Sequence, residues 1–218
     1  NASDNSTITP GTITTALDAG TNVVLQANND ITVSSAITAN NGDGNGGNLT
    51  LQAGRSVLVN ASITTDNGNL RLTANETTGV VDDHRDSGAA VITLGAAIDT
   101  GTGAFTLTIS AGTGKTNLTS GAITLKGVDA GSLVVTNSGP TSGSDILDTG
   151  VLDIAGTSSF TTSRSNDDIT LDSANEFTGA VTLNTSGTGG HAVVDNGTTA
   201  LNIAASSVGG DLTLTSGA

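Results

Sequence analysis

Short apolar pairs, each split by one polar or small residue, recur along the whole chain. Examples are Val23–Leu25, Ile31–Val33, Leu49–Leu51, Val57–Val59, Leu70–Leu72, Ile92–Leu94, Phe105–Leu107 and Ile123–Leu125. The series continues through Leu133–Val135, Leu152–Ile154, Ile169–Leu171, Val181–Leu183, Leu201–Ile203 and Leu212–Leu214. A period of two over three to five residues predicts half-buried strands. Gly, Asn, Asp and Ser fill the intervals, and these residues tolerate turns. Pro10 and Pro140 are expected in turns.

Repetition decides how such strands are arranged. A shift of 26 lays Leu25-Gln26-Ala27 on Leu51-Gln52-Ala53, Ile31-Thr32-Val33 on Val57-Leu58-Val59, and Ile37-Thr38 on Ile63-Thr64. A shift of 21 lays Gly47–Leu51 on Gly68–Leu72. Farther on, a shift of 48 places Leu133–Gly139 on Val181–Gly187, and a shift of 49 places Leu152–Ala155 on Leu201–Ala204. One period of 21–26 residues with insertions accounts for all four, the largest insertion being Glu76–Gly88. In the unit Asn48–Asn67 the predicted strands are Leu49–Leu51, Val57–Val59 and Ala61–Ile63. Gly54-Arg55 and Asp66-Asn67-Gly68 form its corners; Leu49, Leu51, Val57, Val59 and Ile63 point inward, Thr50 and Thr64 outward. Three short strands per repeat make one coil of a β-solenoid, which buries its apolar face by stacking on the next. About nine coils at about 4.8 Å would give a rod of about 43 Å. A β-sandwich needs longer strands and commonly a buried ring; this chain has no Trp or Tyr. The expectation is all-β, a single repeat domain over residues 1–218. Residue 1 is Asn and no leader follows it, so the chain reads as a segment of a longer one.

Composition narrows the chemistry. The 218 residues include 30 Gly and only 3 Phe, with no Cys or Met. Strong helix formers are scarce, which excludes a helix bundle. Absence of Cys excludes disulfides, thiol catalysis and Cys-ligated zinc. A net charge of −14 opposes binding to nucleic acid and anionic membrane, and no stretch has the length of a membrane span. Abundant Val, Ile and Leu argue against disorder despite the polar composition.

The wording of the repeats resembles a known family. Gly47–Ile63 (GNLTLQAGRSVLVNASI), Asp30–Val33 (DITV) and Asn67–Ala74 (NGNLRLTA) resemble the coils of filamentous haemagglutinin-type, two-partner-secretion exoproteins. Asn175–Leu183 (NEFTGAVTL) and Val208–Leu214 (VGGDLTL) resemble repeats of very large bacterial surface adhesins of that group. The resemblance implies a right-handed parallel β-helix, secreted or held at the bacterial surface, serving as adhesin or fibre shaft. The family's amino-terminal secretion domain has no counterpart here.

Several constellations could carry chemistry. Asp82-Asp83 and Asp167-Asp168, the latter with Arg164 nearby and His191 downstream, are the acid pairs a sugar-cleaving β-helix would need. Neighbours on a strand point to opposite faces, so a working pair needs a bend; the plainer reading is that Asp marks corners. Asp82–Asp86 (DDHRD) is the densest charge cluster, a cation or partner site or else a solvated loop protruding from one coil. Asn41–Gly46 (NGDGNG) echoes a calcium loop, but Gln52 stands at the twelfth position and one carboxylate is present, so a flexible corner is favoured and calcium would bind weakly. His84 and His191 are far apart for a zinc site. Gly187–Gly190 opens no predicted helix, which argues against a phosphate loop. Eight Asn-x-Ser/Thr sequons, among them Asn48, Asn60, Asn75, Asn117, Asn184 and Asn196, leave glycosylation open. The pairs Thr12/Thr14, Thr106/Thr108 and Thr213/Thr215 raise ice binding, but they skip most coils.

The expected function is therefore non-enzymatic: a structural or adhesive shaft of an extracellular bacterial surface protein, without catalytic residues or cofactors. Its partners would be a cell-surface receptor or glycan, with no nucleic acid and no membrane insertion. A filament subunit stacking end to end is the second reading, since an open solenoid end exposes unpaired strand groups. A polysaccharide-cleaving enzyme using Asp167 and Asp168 is the third.

Overall fold

The computed structural model describes residues 5–81, 84–114 and 118–217. After helix α1 (Pro10–Asp18), the chain winds through β1 (Val23–Ala27), β2 (Ile31–Val33) and β3 (Ile37–Thr38). The second coil holds β4 (Leu49–Ala53), β5 (Val57–Val59) and β6 (Ile63–Thr64); the third holds β7 (Leu70–Ala74), β8 (Ala89–Leu94) and β9 (Ile98–Asp99). The fourth comprises β10 (Ala104–Ile109), β11 (Thr119–Leu125) and β12 (Val128–Ala130); the fifth, β13 (Ser132–Asn137), β14 (Ile146–Asp148) and β15 (Leu152–Ile154). The sixth has β16 (Ser158–Ser165), β17 (Ile169–Leu171) and β18 (Glu176–Phe177), the seventh β19 (Ala180–Ser186) and β20 (Ala192–Asp195), and the eighth β21 (Asn202–Ile203) and β22 (Leu212–Thr215).

First strands pair only with first strands, second with second and third with third. This gives sheets A and B of eight strands each and sheet C of six, and the pairings are parallel throughout. The fold is a parallel β-helix with three strands per coil. Eight coils, rather than about nine, make a stack about 34 Å tall at about 4.8 Å per step. The difference lies in the third and fourth coils: Leu70 pairs with Phe105, 35 residues on, and Phe105 with Leu133, 28 residues on. Elsewhere the offsets are those of the sequence repeat, with Leu25 on Leu51 and Leu49 on Leu70.

Leu49, Leu51, Val57, Val59 and Ile63 are fully buried. Corresponding residues of successive coils continue these columns, so each apolar side chain meets its equivalents above and below and apolar burial drives the stacking. All three phenylalanines are in the core, and Phe160 meets Phe177 edge to face at 5.8 Å. The corners carry buried polar side chains that satisfy backbone groups within the prism, as buried polar groups must. Thr100 Oγ1 donates to Gly103 O (2.9 Å), and Asn196 Nδ2 donates to Phe177 O (3.2 Å). Where sheet A begins, Gly47, Gly68, Gly103, Gly131, Gly156 and Gly179 recur one per coil. A Cβ on Gly68 would lie 2.3 Å from Gly47 O and one on Gly156 2.3 Å from Gly131 O, so the backbones approach too closely for any side chain.

Helix α1 is a nine-residue exception among the strands, and it corrects the expected placement of Pro10 in a turn and of Thr12/Thr14 on a strand. Pro10 opens the helix, where its missing N–H costs nothing. Gly20, at φ 69°, closes it with Gly20 N donating to Leu17 O and Thr21 N to Ala16 O. Ile13 and Leu17 are buried against the first coil. No helix among the described residues is long and apolar enough to cross a membrane.

Candidate functional site

The largest insertion folds back over one end of the stack. The insertion Glu76–Gly88 leaves sheet A after β7 and turns back past the second coil to the first. Val81 N donates to Asn28 Oδ1 (2.8 Å), Asp86 N donates to Asn29 Oδ1 (2.6 Å), and Asn29 Nδ2 donates to Asp86 Oδ2 (3.1 Å). Arg55 Nη1 donates to Ser87 O (2.9 Å). The insertion thus folds back onto the coils rather than protruding; His84, Asp86 and Ser87 in it are exposed to solvent, whereas Arg85 is 4% exposed. Its Nε donates to Gly54 O (2.7 Å), and its Nη2 to Asn75 Oδ1 (3.2 Å) and Thr119 O (3.4 Å). Asp82 and Asp83 lie outside the described residues.

A cleft of about 740 Å³ opens between this insertion, the segment leading into α1 and the first coil. Ile8, Leu25, Ile31 and Val33 line it together with Asn28, Asn29 and Asp30, and Arg55, His84 and Asp86 complete the lining. Asp30 takes both Arg55 Nε (2.8 Å) and Nη2 (2.6 Å) and accepts from Ser56 N (3.0 Å). Partial burial opposes ionisation of Asp30, but these donors outweigh it and hold the carboxyl below its ordinary range. The pair is thus satisfied internally, and His84 Nδ1 and Asp86 Oδ2 are likewise engaged, by Asn28 Nδ2 (3.3 Å) and Asn29 Nδ2 (3.1 Å).

The acids singled out from the sequence occupy the corner before sheet B. Asp145 Oδ1 accepts from Asp168 N (2.8 Å), Asp168 Oδ1 from His191 N (2.7 Å), and His191 Nδ1 from Asp211 N (2.9 Å). Each side chain caps the backbone of the coil that follows, so Asp168 and His191 are brought together as rungs of one ladder. Asp167 turns the other way and is 2% exposed; Oδ1 accepts from Gly143 N (3.0 Å), while Oδ2 has no hydrogen-bond partner. Desolvation, with a smaller push from Asp145, raises its pKa. Arg164 Nη1 donates to Pro140 O (2.8 Å). What these residues do in common is hold coils together.

The calcium-like segment is a turn. Asn41 Oδ1 accepts from Asp43 N (2.9 Å) and Asn45 Nδ2 donates to Asp43 O (3.1 Å), while Gln52 lies out on sheet A between Gln26 and Glu76. Among the described residues no group of three or more His, Cys, Asp or Glu is placed to hold a metal ion. Of the sequons, Asn75 and Asn196 are fully buried and bonded within corners, so the folded protein withholds them from modification, whereas Asn60 is exposed. Gly187–Gly190 is a corner between β19 and β20 rather than a helix start. The three Thr-x-Thr pairs fall on α1, sheet A and sheet B, so they share no face.

Sequence reasoning missed a different pattern, visible only once register is known. Asp99 pairs with Asp129, Asp129 with Asp153 and Asp153 with Glu176, giving four exposed carboxylates in line down sheet C. Partial burial, then Asp99 and Asp153 on either side, raise the pKa of Asp129. A carboxyl whose folded pKa exceeds its unfolded value penalises the folded state above that pKa, and the penalty fades as pH falls through it. Asp129→Asn should therefore stabilise the protein at pH 7 by about 0.5 kcal/mol, the low end for cross-strand like charges because solvent screens them. The gain should shrink toward pH 4 and in molar salt, as thermal melting would register; an unchanged or lowered midpoint at pH 7 refutes the ladder's repulsion.

Sheet A has the opposite character. No Asp or Glu lies in any of its eight strands, although the chain holds 20 acids.

A family described as repeats of unknown function (DUF5649) matches residues 113–184, from the loop before β11 to β19. No curated protein and no solved structure matches the chain.

Proposed function

We propose that the chain is a rigid shaft segment of a secreted bacterial surface protein, an adhesin or exoprotein of the filamentous haemagglutinin type. The observation carrying this reading is the register: parallel pairing passes without a break through all eight coils of sheets A and B, around a continuous buried column. A rod so built bends only by breaking pairing and packing together, which suits it to holding a binding surface away from a cell. The repeat match over residues 113–184 agrees with a repetitive element, and the resemblance of the repeat wording supplies the surface location. End-to-end filament assembly is the weaker reading, because α1 packs over the first coil and a docking copy would have to displace it.

Small-angle scattering and negative-stain microscopy of the purified 218-residue chain test this. Single rods about 34 Å long, seven coil steps, at all concentrations support the shaft. Fibres that lengthen with concentration overturn it in favour of self-assembly.

A further inference from the structure

We propose that Asn41 is a self-modifying site: its side chain cyclises onto the backbone nitrogen of Gly42 and becomes aspartate or isoaspartate, and the change loosens helix α1 from the first coil. The inference stands independently of the proposed function. The chain holds four Asn-Gly steps, Asn41-Gly42, Asn45-Gly46, Asn67-Gly68 and Asn196-Gly197. At such a step the glycine nitrogen is the nucleophile. Glycine has no Cβ to crowd its approach, but the nitrogen must be free of other bonds to reach the Asn Cγ. Three of the four nitrogens are committed. Gly46 N donates to Asp66 O (2.8 Å), Gly68 N to Thr65 O (3.2 Å) and Gly197 N to Asp195 Oδ1 (2.8 Å). Among the described residues nothing accepts from Gly42 N. Gly42 is exposed, and apart from its chain neighbours no atom lies within 4 Å of where a Cβ would stand.

Asn41 is also prepared for attack. Asp43 N donates to its Oδ1 (2.9 Å), which folds the side chain back along the backbone of residues 42 and 43. A donor at that oxygen stabilises the negative charge it takes up when Cγ becomes tetrahedral. Gly42 N loses its proton to solvent base and bonds to Asn41 Cγ; the Cγ–Nδ2 bond breaks and ammonia leaves. Water then opens the cyclic imide at one of its two carbonyls. Breaking the new Cγ–N bond gives aspartate, and breaking the original peptide bond gives isoaspartate. What is lost is a tie to the helix. Asn41 Nδ2 donates to Asp18 O (2.7 Å) and Asn40 N to Asp18 Oδ1 (2.7 Å), and Asp18 is the last residue of α1. A carboxylate at position 41 has no proton to give Asp18 O. It also places a negative charge beside the Asp18 carboxylate and the negative end of the helix dipole. Gly47 N still donates to Leu17 O (2.9 Å), so the end of α1 loosens rather than detaches.

The purified 218-residue chain is held warm in mildly alkaline buffer, digested at intervals and read by peptide mass spectrometry. The succinimide shows as loss of ammonia and the product as a gain of one mass unit. Asn41 should convert at least about fivefold faster than Asn45, Asn67 or Asn196, where a hydrogen bond to the glycine N–H must first break. In urea, with the fold gone, the four should convert alike. Gly42→Ala, which the open space and ordinary φ accept, should slow Asn41 alone. Asn41→Asp supplies one product directly, and hydrogen exchange over α1 should then quicken by about two- to tenfold, the range for one lost hydrogen bond, while the coils beyond the first exchange like the parent. Equal rates at the four steps in the folded chain, a faster Asn45, Asn67 or Asn196, or an Asn41 that survives folded but not in urea overturns the site. Parent-like protection of α1 in Asn41→Asp overturns its hold on the helix.

Discussion

Replacement of Arg85 by Ala is expected to lower stability by about 3 kcal/mol, or about 9 °C in melting temperature for a chain of this size. Burying a guanidinium is costly in itself, and removing it returns that cost. The return is outweighed because the acceptors around it have been shaped to it. Gly54 O belongs to the second coil, Asn75 Oδ1 to the third and Thr119 O to the fourth; Asp86 O and Gly88 O close the circle from the insertion itself. Without the guanidinium several of these oxygens stay buried and unpaired, each costing about 1–3 kcal/mol before the loop opens and admits water. Arg85→Lys should recover only part of the loss, since one ammonium cannot span acceptors on three coils. Urea denaturation gives the magnitude, and hydrogen exchange over residues 76–88 gives the location. A variant that melts with the parent, or that loosens elsewhere first, would show that Arg85 does not clamp the insertion.

Arg85 also marks where sequence reasoning stops. The coil unit Asn48–Asn67 was legible because its inward set is aliphatic and its corner is chemically explicit. Leu49, Leu51, Val57, Val59 and Ile63 alternate cleanly, and Asp66 and Asn67 adopt the left-handed conformation, at φ 52° and 67°, that their residue types suggest. The third strand starts two residues later and ends one later than the alternation places it, at Ile63–Thr64, because inward Ile63 is flanked by small residues with no pattern of their own. Farther along, the shift of 48 is two coils. Leu133 rests on Ser158, which rests on Val181, and a Ser in an inward column hides the intermediate repeat. The shift of 49 has no structural counterpart: Leu152–Ile154 is a strand of sheet C, whereas Ile203 pairs with Val181 in sheet A. Helix α1 was missed although Pro10, the Ile13/Leu17 spacing and Gly20 all signal it; a nine-residue helix is weak locally and is held by the coil beneath.

The candidate sites followed the same division. The corner role of Asp167-Asp168 was legible, but not its partners: Gly143 and His191 lie 24 and 23 residues away and meet it only through the coil register. The carboxylate line of sheet C and the acid-free face of sheet A were likewise hidden. Both are properties of which residues share a column, and insertions in the third and fourth coils break the numerical period from which columns could be counted.

Truncation of Phe160 to Ala should cost about 4 kcal/mol, the range for a large ring removed from a packed core. Phe160 is fully buried, stacks between Val135 and Leu183 in its column, and meets Phe177 across the prism at 5.8 Å. The site cannot collapse easily, because its neighbour in the same strand and on the same inner face, Ser158, is small and its hydroxyl already lacks a partner. Phe160→Leu, which keeps most of the volume, should lose no more than about 1.5 kcal/mol. In a stack each coil is stabilised mainly by the coils on either side, so the damage should be local before it is global. Limited proteolysis of Phe160→Ala is expected to cut first between residues 155 and 180 and release an amino-terminal fragment that still contains the first five coils. If the variant instead melts in one step with no early cleavage there, the eight coils fold as an indivisible unit and the coil-by-coil account of the shaft's stability is wrong.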